Sequence, residues 1–208
     1  MGDSILALET STPQASLAVW RDGGLVREEV FVSERSHNAR LFAPLRRALL
    51  AAGDLRCLVV GTGPGSYAGV RVGIAAALGI SLANNVPLIG WPSLLAVDGD
   101  GYAIVGDARR STWHFSAVHG GRLDGPYVGD AQETAARCAA HAGKILTFDA
   151  VSPAFCQAES AIPSAVRLVE IVARLPHAEI VRLAAQPVEP LYLAEPFVTS
   201  PKLRPPVA

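Results

Sequence analysis

The stretch from Cys57 to Asn84 constrains this chain more than any other. Cys57–Gly61 reads as a buried strand. Gly61-Thr62-Gly63-Pro64-Gly65-Ser66-Tyr67-Ala68-Gly69 reads as a glycine-rich loop, and a helix follows from about Val70 to Asn84. Strand, glycine loop and helix in that order belong to an α/β layer. Successive glycines at a helix N-terminus expose backbone N–H groups that suit a phosphate, and the same glycines also permit a tight turn and close packing. The loop is not a Walker A motif, because no Gly-Lys-Ser/Thr follows. It is not the dinucleotide fingerprint either, because no acidic residue closes the next strand. The helix carries Gly73, Ala76, Ala77 and Gly79. Residues this small allow close approach of a neighbouring helix, at a cost of up to about 1 kcal/mol per glycine.

The segments before this stretch extend the layer. Ile5–Leu8, Ala15–Trp20 and Leu25–Val32 read as three strands in an antiparallel meander, turning at Glu9–Pro13 and at Arg21-Asp22-Gly23-Gly24. A helix is expected from Ser36, a good N-cap, to Gly53, with Leu41, Leu45, Ala48, Leu49 and Ala52 as its apolar stripe. Pro44 either kinks it or marks where its regular part begins. Val86–Gly90 is the next strand. Asp98-Gly99-Asp100-Gly101 reads as a boundary between a lobe at 1–98 and a smaller one at 99–208, whose end can pack back on the first. In the second lobe the expected elements are strands at Tyr102–Gly106, Thr112–Val118 and Lys144–Phe148, and helices at Gln132–His141 and Ser164–Leu175. The tail from Pro196 to Ala208 reads as an extended end. The fold class is α/β, with mixed sheets flanked by helices.

Half of the 208 residues are apolar and 18% are charged, so the chain can bury a core. The fully apolar runs fall short of the roughly 20 residues a bilayer span needs, and residues 1–4 lack the basic start of a signal peptide. Three cysteines without a CxxC spacing point to a reducing compartment, the cytoplasm, rather than a disulfide framework or zinc site. The net charge of −1, without a basic face, argues against gripping a nucleic-acid backbone directly.

Several groups could carry chemistry. Glu9, closing the first strand ahead of Thr10, Ser11 and Thr12, resembles the start of a phosphate loop, and the hydroxyls could equally cap the turn. With Gly63, Gly65 and Ser66 these residues form a candidate phosphate or nucleotide site. Asp107-Ala108-Arg109-Arg110 could clamp an anion or form a surface ion pair. The five histidines, His37 among them, form no HxxxH or HExxH pair, so no metal site is expected. Ser66 lacks the Gly-x-Ser-x-Gly context of a hydrolase nucleophile, and Cys57 reads as core.

Together these segments resemble the TsaB family, also called YeaZ, of the actin/Hsp70/sugar-kinase superfamily. Ile5–Thr12 resembles that family's ILAIDTST, with Glu9 in place of Asp. Ser36–Leu41 resembles its SH-x-x-x-L helix entry. Val60–Gly73 is similar to its most specific stretch, VGxGPGSFTGLRIG. Asn85–Gly90, Asp107-Ala108-Arg109 and Pro190-Leu191-Tyr192-Leu193 resemble its later motifs. The resemblance implies an actin-like ATPase (ribonuclease H-like) fold of two lobes. It also implies a non-catalytic subunit in tRNA threonylcarbamoyladenosine modification, pairing its first two helices with the catalytic paralogue, TsaD, alongside a TsaE-like ATPase. His37, Leu41, Leu45, Leu49, Val70, Ile74 and Ala77 are then the expected partner surface. A homodimer is implied for the isolated chain, and contact with tRNA only through the complex. No cofactor is implied for the lone chain, while ATP or ADP is allowed at a shared interface. TsaD carries two metal-binding histidines in an HxxxH motif where this chain has Ser93 and Val97. Neither side chain replaces an imidazole. The alternative is an actin-fold ATPase, small-molecule kinase or peptidase-like enzyme acting alone.

Overall fold

The computed structural model describes residues 3–32 and 37–193, with the side chains of 37–39 outside the description. The expected cap Ser36 and the tail from Pro196 therefore lie outside the described residues.

Strands β1 (Ser4–Glu9), β2 (Gln14–Arg21) and β3 (Gly24–Val32) form the antiparallel meander. Helix α1 (His37–Ala52) leads to β4 (Leu55–Gly61), and α2 (Tyr67–Asn84) leads to β5 (Leu88–Trp91). Both strands join parallel to β1, giving the order β3-β2-β1-β4-β5. The middles of the central strands, Ile5–Leu8 and Cys57–Val60, are apolar because both their faces are covered. Leu6, Leu8, Leu58 and Val60 face α1 and α2, whereas Ile5, Ala7, Cys57 and Val59 face the opposite way.

A 3-10 turn at Ser93–Leu95 precedes the second sheet, built from β6 (Tyr102–Arg109), β7 (Thr112–His119) and β8 (Arg122–Gly129). Helix α3 (Ala131–Ala140) and short strands β9 (Ile145–Thr147) and β10 (Glu159–Ser160) complete it in the order β10-β9-β6-β7-β8. The chain then returns. Helices α4 (Ala165–Ala173) and α5 (His177–Ala184) pack Leu168, Val169, Val172 and Ile180 on the open face of the first sheet. The two crossings lie side by side, because Ser164 N–H donates to Ala96 O at 2.8 Å.

Some expectations shift. α2 starts at Tyr67 rather than Val70, because Ser66 Oγ accepts the Gly69 N–H at 3.2 Å and caps the helix there. α1 runs through Pro44 without a break. β8 was hidden by Gly125-Pro126, a pair that reads as a turn but is tolerated on an outer strand. α5 spans eight residues and buries only Ile180, too little for a periodic signal. Gly73 of α2 serves a different contact from the one expected. A Cβ on Gly73 would collide with Thr10 Oγ1, so this glycine admits the β1–β2 turn rather than a neighbouring helix, while Gly79 has nothing near it.

Candidate functional site

Glu9 ends β1 wholly enclosed. Its Oε1 accepts the Ser11 N–H at 2.8 Å, and its Oε2 has no hydrogen-bond partner. The carboxyl occupies the space a side chain at Gly61 would need. Burial pushes its pKa up, against the opposing pull of hydrogen bonds from Ser11 and Ser93. Thr10 Oγ1 donates to Gly69 O at 2.8 Å. The glycine loop is stitched to its surroundings in the same way. Thr62 N–H donates to Trp91 O, Gly63 N–H to Ser93 Oγ at 3.0 Å, and Ser66 N–H to Ser11 O at 2.6 Å.

This arrangement corrects the phosphate-cradle reading. Glu9 fills a slot behind the loop instead of facing a ligand, and the N–H groups of Thr62, Gly63, Ser66 and Gly69 already have acceptors. Of the six residues expected there, Ser11, Gly65 and Ser66 line the space between the sheets, whereas Glu9, Thr10 and Gly63 lie behind it. These four N–H groups are thus committed within the fold.

That space is a cleft of about 680 Å³. Its other wall is built from the end of β6 and from β7: Asp107, Arg109 and His114, with Asp149 from the segment after β9. Asp149 Oδ2 accepts the Asp107 N–H at 2.7 Å, and Asp107 accepts both the backbone N–H and the guanidinium of Arg109. Arg109, Arg110 and Ser111 all adopt positive φ, which is uncommon for residues with side chains and re-aims the hairpin at the cleft rim. His114 is buried with Nδ1 unpartnered, and that burial pushes its pKa down to about 4, against the opposing pull of Asp107. A strap, Pro190–Leu193, lines the cleft. Leu191 N–H donates to Thr62 O at 2.8 Å, and Tyr192 Oη accepts from Arg71 Nη2 at 2.7 Å while Arg71 lies 4.0 Å over the Tyr67 ring. Sequence reasoning missed His114, Asp149 and Arg71 as site residues, since each is isolated along the chain.

The helix pair also needs a correction. Leu41, Leu45, Val70, Ile74 and Ala77 lie in the core between α1, α2 and their own sheet, and Leu49 packs against that core half-buried. An apolar stripe at helical spacing marks the face a helix buries on its own sheet, and these residues are that face. His37 begins α1, but its side chain lies outside the described residues. The apolar groups left outside are Phe42 (63% exposed) and Leu50 (74%) on α1, and Leu78 (41%) and Leu82 (82%) on α2. Spacings of eight and four residues put each pair on one side of its helix. Ser93 and Val97 have local duties: Ser93 Oγ accepts the Gly63 N–H, and Val97 packs into the core of the second sheet. Among the described residues no three histidines, cysteines or acids cluster as a metal site.

Comparison with known proteins places this architecture. The model of the TsaD family, tRNA N6-adenosine threonylcarbamoyltransferase, matches residues 18–99. The Escherichia coli K12 tRNA threonylcarbamoyladenosine biosynthesis protein TsaB is 36% identical over 97 residues, 45% of this chain and 42% of that protein. Its Bacillus subtilis 168 counterpart is 30% identical over 117 residues, 51% of each chain. A Pseudomonas aeruginosa structure described as similar to peptidase YEAZ superposes with a TM-score of 0.70 at 24% identity, over 92% of this chain and 100% of that one. Over these segments the chain is similar to proteins of the TsaB (YeaZ) family. It spans about half the length of these curated TsaB relatives, and its two helix-flanked mixed sheets share the fold of that Pseudomonas aeruginosa structure. The TsaD-family model covers all of α1, β4, α2 and β5.

Proposed function

We propose that this chain acts in tRNA threonylcarbamoyladenosine biosynthesis as a non-catalytic binding subunit that docks on a TsaD-like paralogue through the outer face of α1 and α2. The observation that carries this reading is the exposure of Phe42, Leu50, Leu78 and Leu82 on two helices whose inner faces already have a filled core. Burying each such side chain is worth about 1.5–3 kcal/mol, so an apolar two-helix face gains much from a partner. Neither helix contains an acidic residue, and α1 carries Arg40, Arg46 and Arg47 while α2 carries Arg71. In a two-fold homodimer these arginines would approach their own copies. A paralogue with carboxylates around its apolar face is the better match, leaving self-association to the isolated chain. A TsaE-like ATPase, contact with tRNA only through the assembly, and a cytoplasmic setting complete the proposal.

The alternative, an actin-fold ATPase acting alone, loses support from the enclosed Glu9 and the satisfied glycine loop. A nucleotide shared with the partner remains compatible with the open cleft. The test is co-purification with the TsaD-like protein of the same source, followed by a tRNA modification assay. Leu82→Asp is expected to weaken association at least tenfold and to lower modification, with an unchanged melting curve because the residue is exposed. Wild-type association and modification by this variant would reject the docking face.

A further inference from the structure

Arg71 stands on the exposed side of α2, in line with Leu78 and Leu82 at spacings of seven and four residues. It is the one charged side chain of that helix. Its Nε and Nη2 both donate to Tyr192 Oη, at 3.2 and 2.7 Å. The guanidinium carbon lies 4.0 Å from the Tyr67 ring centroid and 5.8 Å from that of Tyr192. This stacking covers a face of the guanidinium and leaves its edges to hydrogen-bond. The Nε–Nη2 edge suits a carboxylate, which takes two parallel bonds from it, and here it holds a neutral phenol instead. Arg47 on α1 shows the same edge filled by a carboxylate: its Nε and Nη2 hold Glu29 at 3.0 and 2.7 Å. Tyr192 belongs to the strap that lines the cleft, so the Arg71 bond joins the outer helix face to the cleft wall.

Resting on the docking proposed above, we infer that a carboxylate of the partner takes Nε and Nη2 of Arg71 in place of Tyr192 Oη, so that docking unlatches the strap. Bonds from a guanidinium to a carboxylate are stronger than bonds to a neutral oxygen, and the body of a docked partner shields them from water. Tyr192 is exposed, so water replaces the guanidinium at its Oη. The strap then keeps the Leu191 N–H bond to Thr62 O as its tie to the glycine loop. The exchange also defines the partner's chemistry. Its docking element carries an Asp or Glu about two to three helical turns from the apolar side chains that meet Leu78 and Leu82. A second copy of this helix pair supplies no such acid, since neither α1 nor α2 contains one.

The test is a calorimetric titration of the full chain with the TsaD-like protein of the same source, joined to hydrogen–deuterium exchange of the strap. Tyr192→Phe keeps the ring and removes the oxygen that competes for Arg71, so association should tighten about threefold. Arg71→Ala should weaken association about tenfold, and Arg71→Lys nearly as much, because an ammonium has no fork. In the Arg71→Ala background Tyr192→Phe should change nothing. Exchange of the Leu191 amide should quicken on docking in the wild type and be quick already in the free Tyr192→Phe chain. The inference is overturned if Tyr192→Phe binds no tighter than wild type, or if docking leaves the strap's exchange unchanged or slows it. Leu82→Asp separates this inference from the docking reading. Loss of binding by Leu82→Asp beside an unaffected Tyr192→Phe keeps the docking face and removes the latch. Wild-type binding by Leu82→Asp rejects the face, and the latch with it.

Discussion

A carboxyl group enclosed on every side, as Glu9 is behind Gly61, is easier to keep protonated than to ionise. Its folded pKa lies above its ordinary value. The folded state then holds its proton more tightly than the unfolded chain, so the contribution of Glu9 to stability is present in full at acid pH. It declines as pH rises from about 4.5 through the raised value. Glu9→Gln keeps an acceptor for the Ser11 N–H and cannot ionise. Its stability relative to wild type should therefore increase with pH above 4.5 and level off once wild-type Glu9 is charged. Urea midpoints measured from pH 4 to 8 check this, and a constant difference would mean that Glu9 does not titrate in that range. The environment of Glu9 was not legible from its position. The motif Leu8-Glu9-Thr10-Ser11 says that an acid ends a strand, but the direction its side chain takes depends on a missing Cβ some fifty residues away.

At the scale of elements, α2 shows what periodicity can and cannot convey. Its inner face, Val70, Ile74 and Ala77, was readable at helical spacing, but the contact it makes was not. One stripe of apolar residues looks the same whether it meets the chain's own sheet or another protein, and only the count of faces to be covered separates them. The outward pairs Phe42/Leu50 and Leu78/Leu82 carry the complementary information once the inner face is assigned. The glycines of α2 divide in the same way. Gly79 is free of neighbours, whereas Gly73 admits Thr10, whose Oγ1 is held by Gly69 O. Gly73→Ala gains up to about 1 kcal/mol in helix propensity and loses about 1–3 kcal/mol to overpacking, a net loss. In a Thr10→Ala background the same substitution should become neutral or stabilising. Thermal melts of the four chains make that cycle, and additivity of the two substitutions would argue that they do not touch.

For the molecule as a whole, the sequence divided the chain by a composition change near residue 98, and the three-dimensional packing divides it differently. Residues 102–160 build the second sheet, but α4 and α5 cover the first sheet's open face. The sequence allowed the end of the chain to pack back on the first lobe but did not say which helices do so, because an amphipathic helix records that it has an apolar side, not which sheet it meets. Without α4 and α5, the face made by Ile5, Ala7, Cys57 and Val59 is bare to water. A fragment of residues 1–98 should accordingly fail to fold, with weak helical circular dichroism and no cooperative melt, while the full chain melts cooperatively. A cooperative transition in the fragment would show that the first layer is self-sufficient.

The return also fixes the mechanics of the cleft. The outgoing and returning connections meet at a single waist, where Ser164 N–H is bonded to Ala96 O, and the cleft opens away from that waist. The two halves are the arms of a pair of tongs: a small rotation at the pivot becomes a larger displacement at the tips. The Leu191–Thr62 bond is a stay across the jaws, limiting how far they swing.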